Sequence, residues 1–139
     1  MKLLSKNEDE TKDIGRKLGE KLKRGDVVCL YGELGSGKTT MVKGLASVFG
    51  IDERDITSAS FTIIAEYDEE VPFYHIDLYR VTSEDIPELG LQEYFGGEGI
   101  SVIEWAERAE GELPETSIKV SLNYTGDNIR EIEITGIEL

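Results

Sequence analysis

The segment Gly32-Glu33-Leu34-Gly35-Ser36-Gly37-Lys38-Thr39 follows the spacing G-x-x-x-x-G-K-[ST], in which each named residue type has a physical task. The glycines permit tight curvature and turn backbone N–H groups inward, making a nest for anions at the positive end of the helix that follows. Lys38 can reach the β- and γ-phosphates of a nucleotide as a point charge. Thr39 offers a hydroxyl to Mg²⁺, an ion that keeps several waters and bridges phosphate oxygens. The chemistry expected here is retention of the phosphates of ATP, with Leu34, Gly35, Ser36, Gly37, Lys38, Thr39 and Thr40 around them. With glycine at about 7% of residues, two glycines, a lysine and a hydroxyl residue at this spacing arise by chance about once in tens of thousands of positions. The bland alternative, a glycine-rich turn with an idle lysine, is correspondingly weak.

Holding a nucleotide is not turnover, which needs an acid at a neighbouring strand end and a group that orients water. Asp77 ends the strand-like run Phe73-Tyr74-His75-Ile76, and Glu104 ends Ile100-Ser101-Val102-Ile103. Both carboxylates are therefore expected at the carboxyl edge of a sheet, where ligands bind in open α/β folds. A lone acid at a strand end is more often structural; two of them beside a phosphate loop favour a functional reading. Ser58, Ser60 and Thr62 follow the loop's helix, where a hydroxyl that senses the γ-phosphate can sit, and Ser60 is the candidate. His75, the only histidine, reads as structural before it reads as a base. Trp105 reads as a packing residue before a ligand platform, and Arg80 and Arg108 as surface ion-pair partners before catalytic groups.

The elements that must position these residues are legible in outline. The run Val27 to Tyr31 lacks alternation and predicts a strand covered on both faces. Lys38 or Thr39 to Val48 carries apolar residues at helical spacing, with Gly50 as the stop. Ahead of both, Ser5 or Asn7 can cap a helix with Ile14, Leu18 and Leu22 on one side and Lys23 and Arg24 in its last turn. Ser60 to Tyr67 and Val71 to Tyr79 predict a hairpin around Asp68-Glu69-Glu70, and Ser83 opens a short helix to Leu89. Ile100 to Ile103 predicts a second inner strand, and Ser117 to Tyr124 with Asn128 to Thr135 a terminal hairpin around Thr125-Gly126-Asp127. The pattern predicts one domain over residues 1–139: an α/β fold whose central sheet is mixed and mainly parallel, with antiparallel hairpins at its edges.

Charge bears on partners. Fifteen basic against 29 acidic residues leave a net charge of -14, which disfavours unaided binding of nucleic acid. The imbalance is uneven: residues 1–25 carry eight Lys or Arg against five acids, whereas residues 66–115 carry fifteen acids against Arg80 and Arg108. An acidic face reads first as a solvated surface and second as a docking site for a basic partner. The lone cysteine, Cys29, lies in an apolar run and predicts a buried thiol in a reducing compartment. Charged residues directly after Met1-Lys2-Leu3-Leu4, and no apolar stretch near 20 residues, predict a cytoplasmic protein without a membrane span.

Beyond the phosphate loop, Ser58-Ala59-Ser60-Phe61-Thr62 with Glu66-Tyr67, His75-Ile76-Asp77-Leu78-Tyr79-Arg80 and Ile103-Glu104-Trp105 occur in that order. With Gly32 to Thr40 they give the chain a resemblance, nearly end to end, to the TsaE-type bacterial ATPases of the machinery that makes threonylcarbamoyladenosine in tRNA. The resemblance implies a three-layer P-loop NTPase fold, ATP and Mg²⁺ as cofactors, metal contacts from Thr39 and Glu104, catalytic roles for Lys38, Asp77, Glu104 and Ser60, and Asp77 near the nucleotide. It implies a base site between Glu8 and the last hairpin near Ile129. It also implies two protein partners, one of them the transferase subunit, with tRNA contacted indirectly and ATP hydrolysis arising in the complex. One departure is visible: the family's Ser-Pro-Thr-Phe is Ser58-Ala59-Ser60-Phe61 here, which predicts a looser loop and slower turnover. Two other classes stay open, a non-catalytic nucleotide-binding adaptor and a small-molecule phosphotransferase. Against the latter, the six arginines form no cluster that would make a lid.

Overall fold

The strand Val27–Tyr31 is buried along almost its whole length because it lies in the middle of a sheet with packed layers on both sides. In the computed structural model, which describes residues 1–57 and 63–139, the elements are β1 (Lys2–Ser5), α1 (Glu8–Lys21), β2 (Val27–Tyr31), α2 (Lys38–Ser47), β3 (Ile64–Tyr67), β4 (Phe73–Asp77), β5 (Ile100–Glu104), β6 (Ile118–Gly126) and β7 (Ile129–Thr135). Short 3₁₀ segments occur at Glu53–Asp55, Ile86–Leu89, Leu91–Tyr94 and Ala106–Glu112. Ser58, Ala59, Ser60, Phe61 and Thr62, and with them the start of the strand expected from Ser60, lie outside the described residues.

The sheet order is β1-β7-β6-β2-β5-β4-β3. Its centre is parallel, through β6 with β2, β2 with β5 and β5 with β4, and its margins are antiparallel, through β3 with β4 and through β6, β7 and β1. Three parallel and three antiparallel pairings make the sheet more evenly mixed than the sequence pattern suggests. The difference lies in β1, whose four residues pair with β7 and carry no recognisable strand signal of their own.

On one face α1 and α2 cover Val28, Leu30, Phe73, Val102, Val120 and Ile132. The two helices approach so closely that a Cβ at Gly15 would lie 2.3 Å from Met41 O, and one at Gly44 2.0 Å from Lys12 O. On the other face a second cluster joins Val27, Cys29, Ile76 and Ile103 to Leu78, Ile86, Leu91 and Ala106. That outer layer is made of turns and 3₁₀ segments instead of α-helices, and it covers β2, β4 and β5; among the described residues no side chain of β1, β6 or β7 joins that cluster. Cys29 is fully buried there; desolvation raises its pKa to about 11, partly opposed by the Ser117 hydroxyl, so the thiol is structural.

Element ends differ from the sequence reading where local chemistry intervenes. Asn7, not Ser5, caps α1; Ser5 is buried and bonded to Thr11 Oγ1 at 2.7 Å. The helix stops at Lys21, and Lys23 donates its amide to Asp26 Oδ2 at 2.7 Å, outside the helix. The helix expected from Ser83 is a turn followed by the 3₁₀ segment Ile86–Leu89, where Pro87 withholds an N–H. The β6–β7 hairpin turns at Asp127 and Asn128, both left-handed at φ 51° and 64°, as a type I′ turn requires. Among the described residues no helix is long and apolar enough to cross a membrane.

Candidate nucleotide site

The glycine-rich segment links the carboxyl end of β2 to α2, and Gly37 forms the helix N-cap with φ 105°, a conformation that a side chain strongly disfavours. No side chain caps this helix, and no acid lies in its first turn. The start of this helix, whose leading amides have no side-chain cap among the described residues, opens on a cleft of about 410 Å³ lined by Glu8, Gly35, Lys38, Thr40, Asp77 and Arg130, among others. Leu34, Gly37 and Thr39 also line it. Ser36 Oγ is buried and has no hydrogen-bond partner among the described residues.

The acids converge because β4 and β5 are parallel neighbours with Asp77 opposite Glu104 in register. Both are buried, Asp77 at 5% exposure and Glu104 at 2%. Thr39 Oγ1 donates to Glu104 Oε1 at 2.9 Å, which leaves the hydroxyl lone pairs available to a cation. Behind the carboxylate, His75 Nε2 lies 2.6 Å from Glu104 Oε2, a hydrogen-bonded pair whose direction follows the imidazole tautomer. Asp77 Oδ1 accepts the Tyr79 amide at 3.0 Å, which fixes the carboxylate at the strand end. Among the described residues no three His, Cys, Asp or Glu side chains form a metal cage. The hard oxygen donors of Thr39 and Glu104 are of the kind that would suit Mg²⁺.

Lys38 is buried, and its ammonium is held by the carbonyls of Gly32 and, at 3.0 Å, Glu33, and lies 4.0 Å from the centre of the Trp105 ring. Burial lowers its pKa from the ordinary value, while the carboxylates of Glu104, Glu107, Asp77 and Glu33 act in the opposite direction. Trp105 holds a left-handed backbone at φ 60°, unusual for a non-glycine residue. Arg130 reaches from β7 to brace the loop, its Nε donating to Ser36 O at 2.9 Å and its Nη2 to Gly35 O at 3.2 Å, with the guanidinium 4.6 Å from the Tyr124 ring. Arg108 donates to Val81 O at 3.1 Å and stacks near Tyr79 and Trp105.

The structure thus brings Lys38, Thr39, Asp77 and Glu104 together, with Glu8 at the rim, and the last hairpin enters the cleft through Arg130 beside Ile129. Ser60 lies outside the described residues. Tyr79, Trp105 and Arg130 line the cleft without having been singled out for it from sequence. For Arg130 the signal was absent, since a lone arginine after a turn has no motif. For His75 and Trp105, adjacency to the strand-end acids was the available hint.

A sheet whose central strand feeds a glycine-rich loop and a helix, with two acids at the adjoining strand ends, defines a P-loop NTPase-like α/β protein. The profile of the family described as "Threonylcarbamoyl adenosine biosynthesis protein TsaE" matches residues 5–132. The chain belongs to the TsaE family. It is 44% identical over 132 residues to the tRNA threonylcarbamoyladenosine biosynthesis protein TsaE of Bacillus subtilis, covering 94% of this chain and 82% of that one. To the protein of the same name from Treponema pallidum it is also 44% identical, over 135 residues, covering 96% and 99%. The crystal structure of Bacillus subtilis YdiB superposes with a TM-score of 0.78 at 42% identity, over 95% of this chain and 82% of that chain.

Proposed function

We propose that this chain is the ATP-binding and hydrolysing component of the machinery that installs threonylcarbamoyl on adenosine of tRNA, and that it acts as an ATP-driven switch for a transferase. The observation that carries the catalytic part is the Thr39 hydroxyl bonded at 2.9 Å to Glu104 beside an uncapped, glycine-led helix N-terminus. The family membership carries the pathway.

In this reading the leading amides of α2 and the loop hold the β- and γ-phosphates, and Lys38 leaves the Gly32 and Glu33 carbonyls to reach them. Thr39 and Glu104 hold Mg²⁺, which when bound offsets charge on the phosphates. His75 keeps Glu104 oriented. Asp77, fixed by the Tyr79 amide, orients the attacking water, and Ser60 senses the γ-phosphate. The base lies between Glu8 and the β6–β7 hairpin. The partners are two protein subunits, including the transferase, and tRNA is reached through them, in keeping with the net charge of -14. The site of action is the cytoplasm.

Phosphate release by the purified chain, alone and with the two partner proteins and tRNA, tests this reading. Stimulation that disappears with Glu104→Ala or with chelated Mg²⁺ is the expected result. ATP binding without turnover in any mixture replaces the ATPase by a nucleotide-binding adaptor.

A further inference from the structure

A second groove, of about 620 Å³, shares Trp105 with the nucleotide cleft. Its floor is the half of the sheet that neither hydrophobic cluster covers from outside. Register sets out two rungs there: Lys2, Glu133, Ser121 and Tyr31 lie side by side across β1, β7, β6 and β2, and Leu4, Glu131 and Asn123 form the next. The alternate residues Leu3, Ile132 and Leu122 turn to the helix-side core, so the two rungs face out.

Four carboxylates, Glu33, Glu107, Glu131 and Glu133, line this groove against one lysine, Lys2. Leu4, 62% exposed, places an apolar side chain among them. Such a face repels phosphate backbones and anionic lipid, and it complements a protein segment that spaces Lys or Arg around an apolar residue. The groove is also wired to the catalytic lysine. All three groups that hold the Lys38 ammonium, the carbonyls of Gly32 and Glu33 and the ring of Trp105, belong to residues that line it. Trp105 sits at φ 60°, a backbone state that persists only while its surroundings hold it.

We propose that the outer face of β6, β7 and β1 docks a basic, amphipathic segment of the partner transferase complex, and that this contact, by moving Trp105 and the Gly32–Glu33 rim, frees Lys38 for the phosphates. The inference rests on the partner-dependent ATPase reading above and adds to it the surface and the chemistry of the contact.

The test compares wild type with the double variants Glu131→Lys/Glu133→Lys and Glu131→Gln/Glu133→Gln, on exposed positions outside the nucleotide cleft. Binding of the purified partner pair is measured by biolayer interferometry, and the chain alone is titrated with fluorescent ATP to show that the fold is intact. Charge reversal is expected to weaken partner binding about tenfold or more, and neutralisation to weaken it less. Trp105 is the sole tryptophan, so 5-fluorotryptophan labelling gives a single ¹⁹F line. That line is expected to shift when the partner pair saturates wild type and to stay put for the reversed variant at the same concentration. Equal partner affinity for all three chains overturns the docking surface and leaves the ATPase reading standing. A ¹⁹F line unmoved at saturation overturns the link to Lys38. Wild type that does not bind the pair overturns the partner reading together with this occupant, and a self-association lost on charge reversal replaces the occupant by a second copy of the chain.

Discussion

The N-terminus of α1 is closed by its own side chains. Asn7 Oδ1 accepts the Glu10 amide at 2.8 Å, Glu10 Oε1 accepts the Lys6 amide at 2.8 Å, and Glu8, Asp9 and Glu10 put three carboxylates in the first turn. The N-terminus of α2, whose glycine N-cap is left-handed, has neither a side-chain cap nor a first-turn acid. Both ends carry the same orphan amides and the same partial positive charge. In α1 that potential is spent on stability, and in α2 it is left open to an anion from outside the chain.

Breaking the open end has the largest expected effect. Glu104→Ala or Thr39→Ala removes one half of the 2.9 Å pair and is expected to lower partner-stimulated ATP hydrolysis at least about 100-fold. Single-turnover phosphate release checks it. Giving α2 the kind of finish that α1 has, by Gly37→Asp, places a carboxylate where the proposed function seats the phosphates and a side chain at φ 105°. ATP affinity is expected to fall about 10- to 100-fold in a fluorescent-nucleotide titration.

The two helices meet through glycine, with a Cβ at Gly44 only 2.0 Å from Lys12 O. Gly44→Ala is expected to cost about 1–3 kcal/mol in urea unfolding by forcing them apart. Opening the closed end is milder: Asn7→Ala should cost about 1 kcal/mol of stability, with ATP affinity changed less than about threefold. The finest test is pH. Burial lowers the Lys38 pKa, so in the free protein the ammonium is lost below the ordinary lysine value of 10.5, and ATP affinity falls as pH rises through the lowered value. Lys38→Ala is expected to bind weakly without that slope.

Legibility followed the range of the signal. The strand, loop and helix from Val27 to Ser47 were readable because buried runs, glycine punctuation and helical spacing are local. Asp77 and Glu104 were readable as strand-end acids for the same reason. β1 was not, because an edge strand of four residues exists only through its pairing with β7. The outer layer also escaped, since Ile86 and the interrupted 3₁₀ path from Ala106 to Glu112 owe their packing to the sheet beneath.

What the chain settled by itself is the glycine-rich loop, since backbone freedom at Gly35 and Gly37 and the donor types of Lys38 and Thr39 are properties of those residues wherever they lie. Tertiary structure alone decided that Thr39 meets Glu104 across 65 residues of sequence, and that Arg130 braces Ser36 across 94. It also decided which half of the sheet stays open beside Trp105. Those contacts follow from strand order, and strand order is set by which pairings bury the most apolar surface over the whole chain, a sum that no local pattern contains.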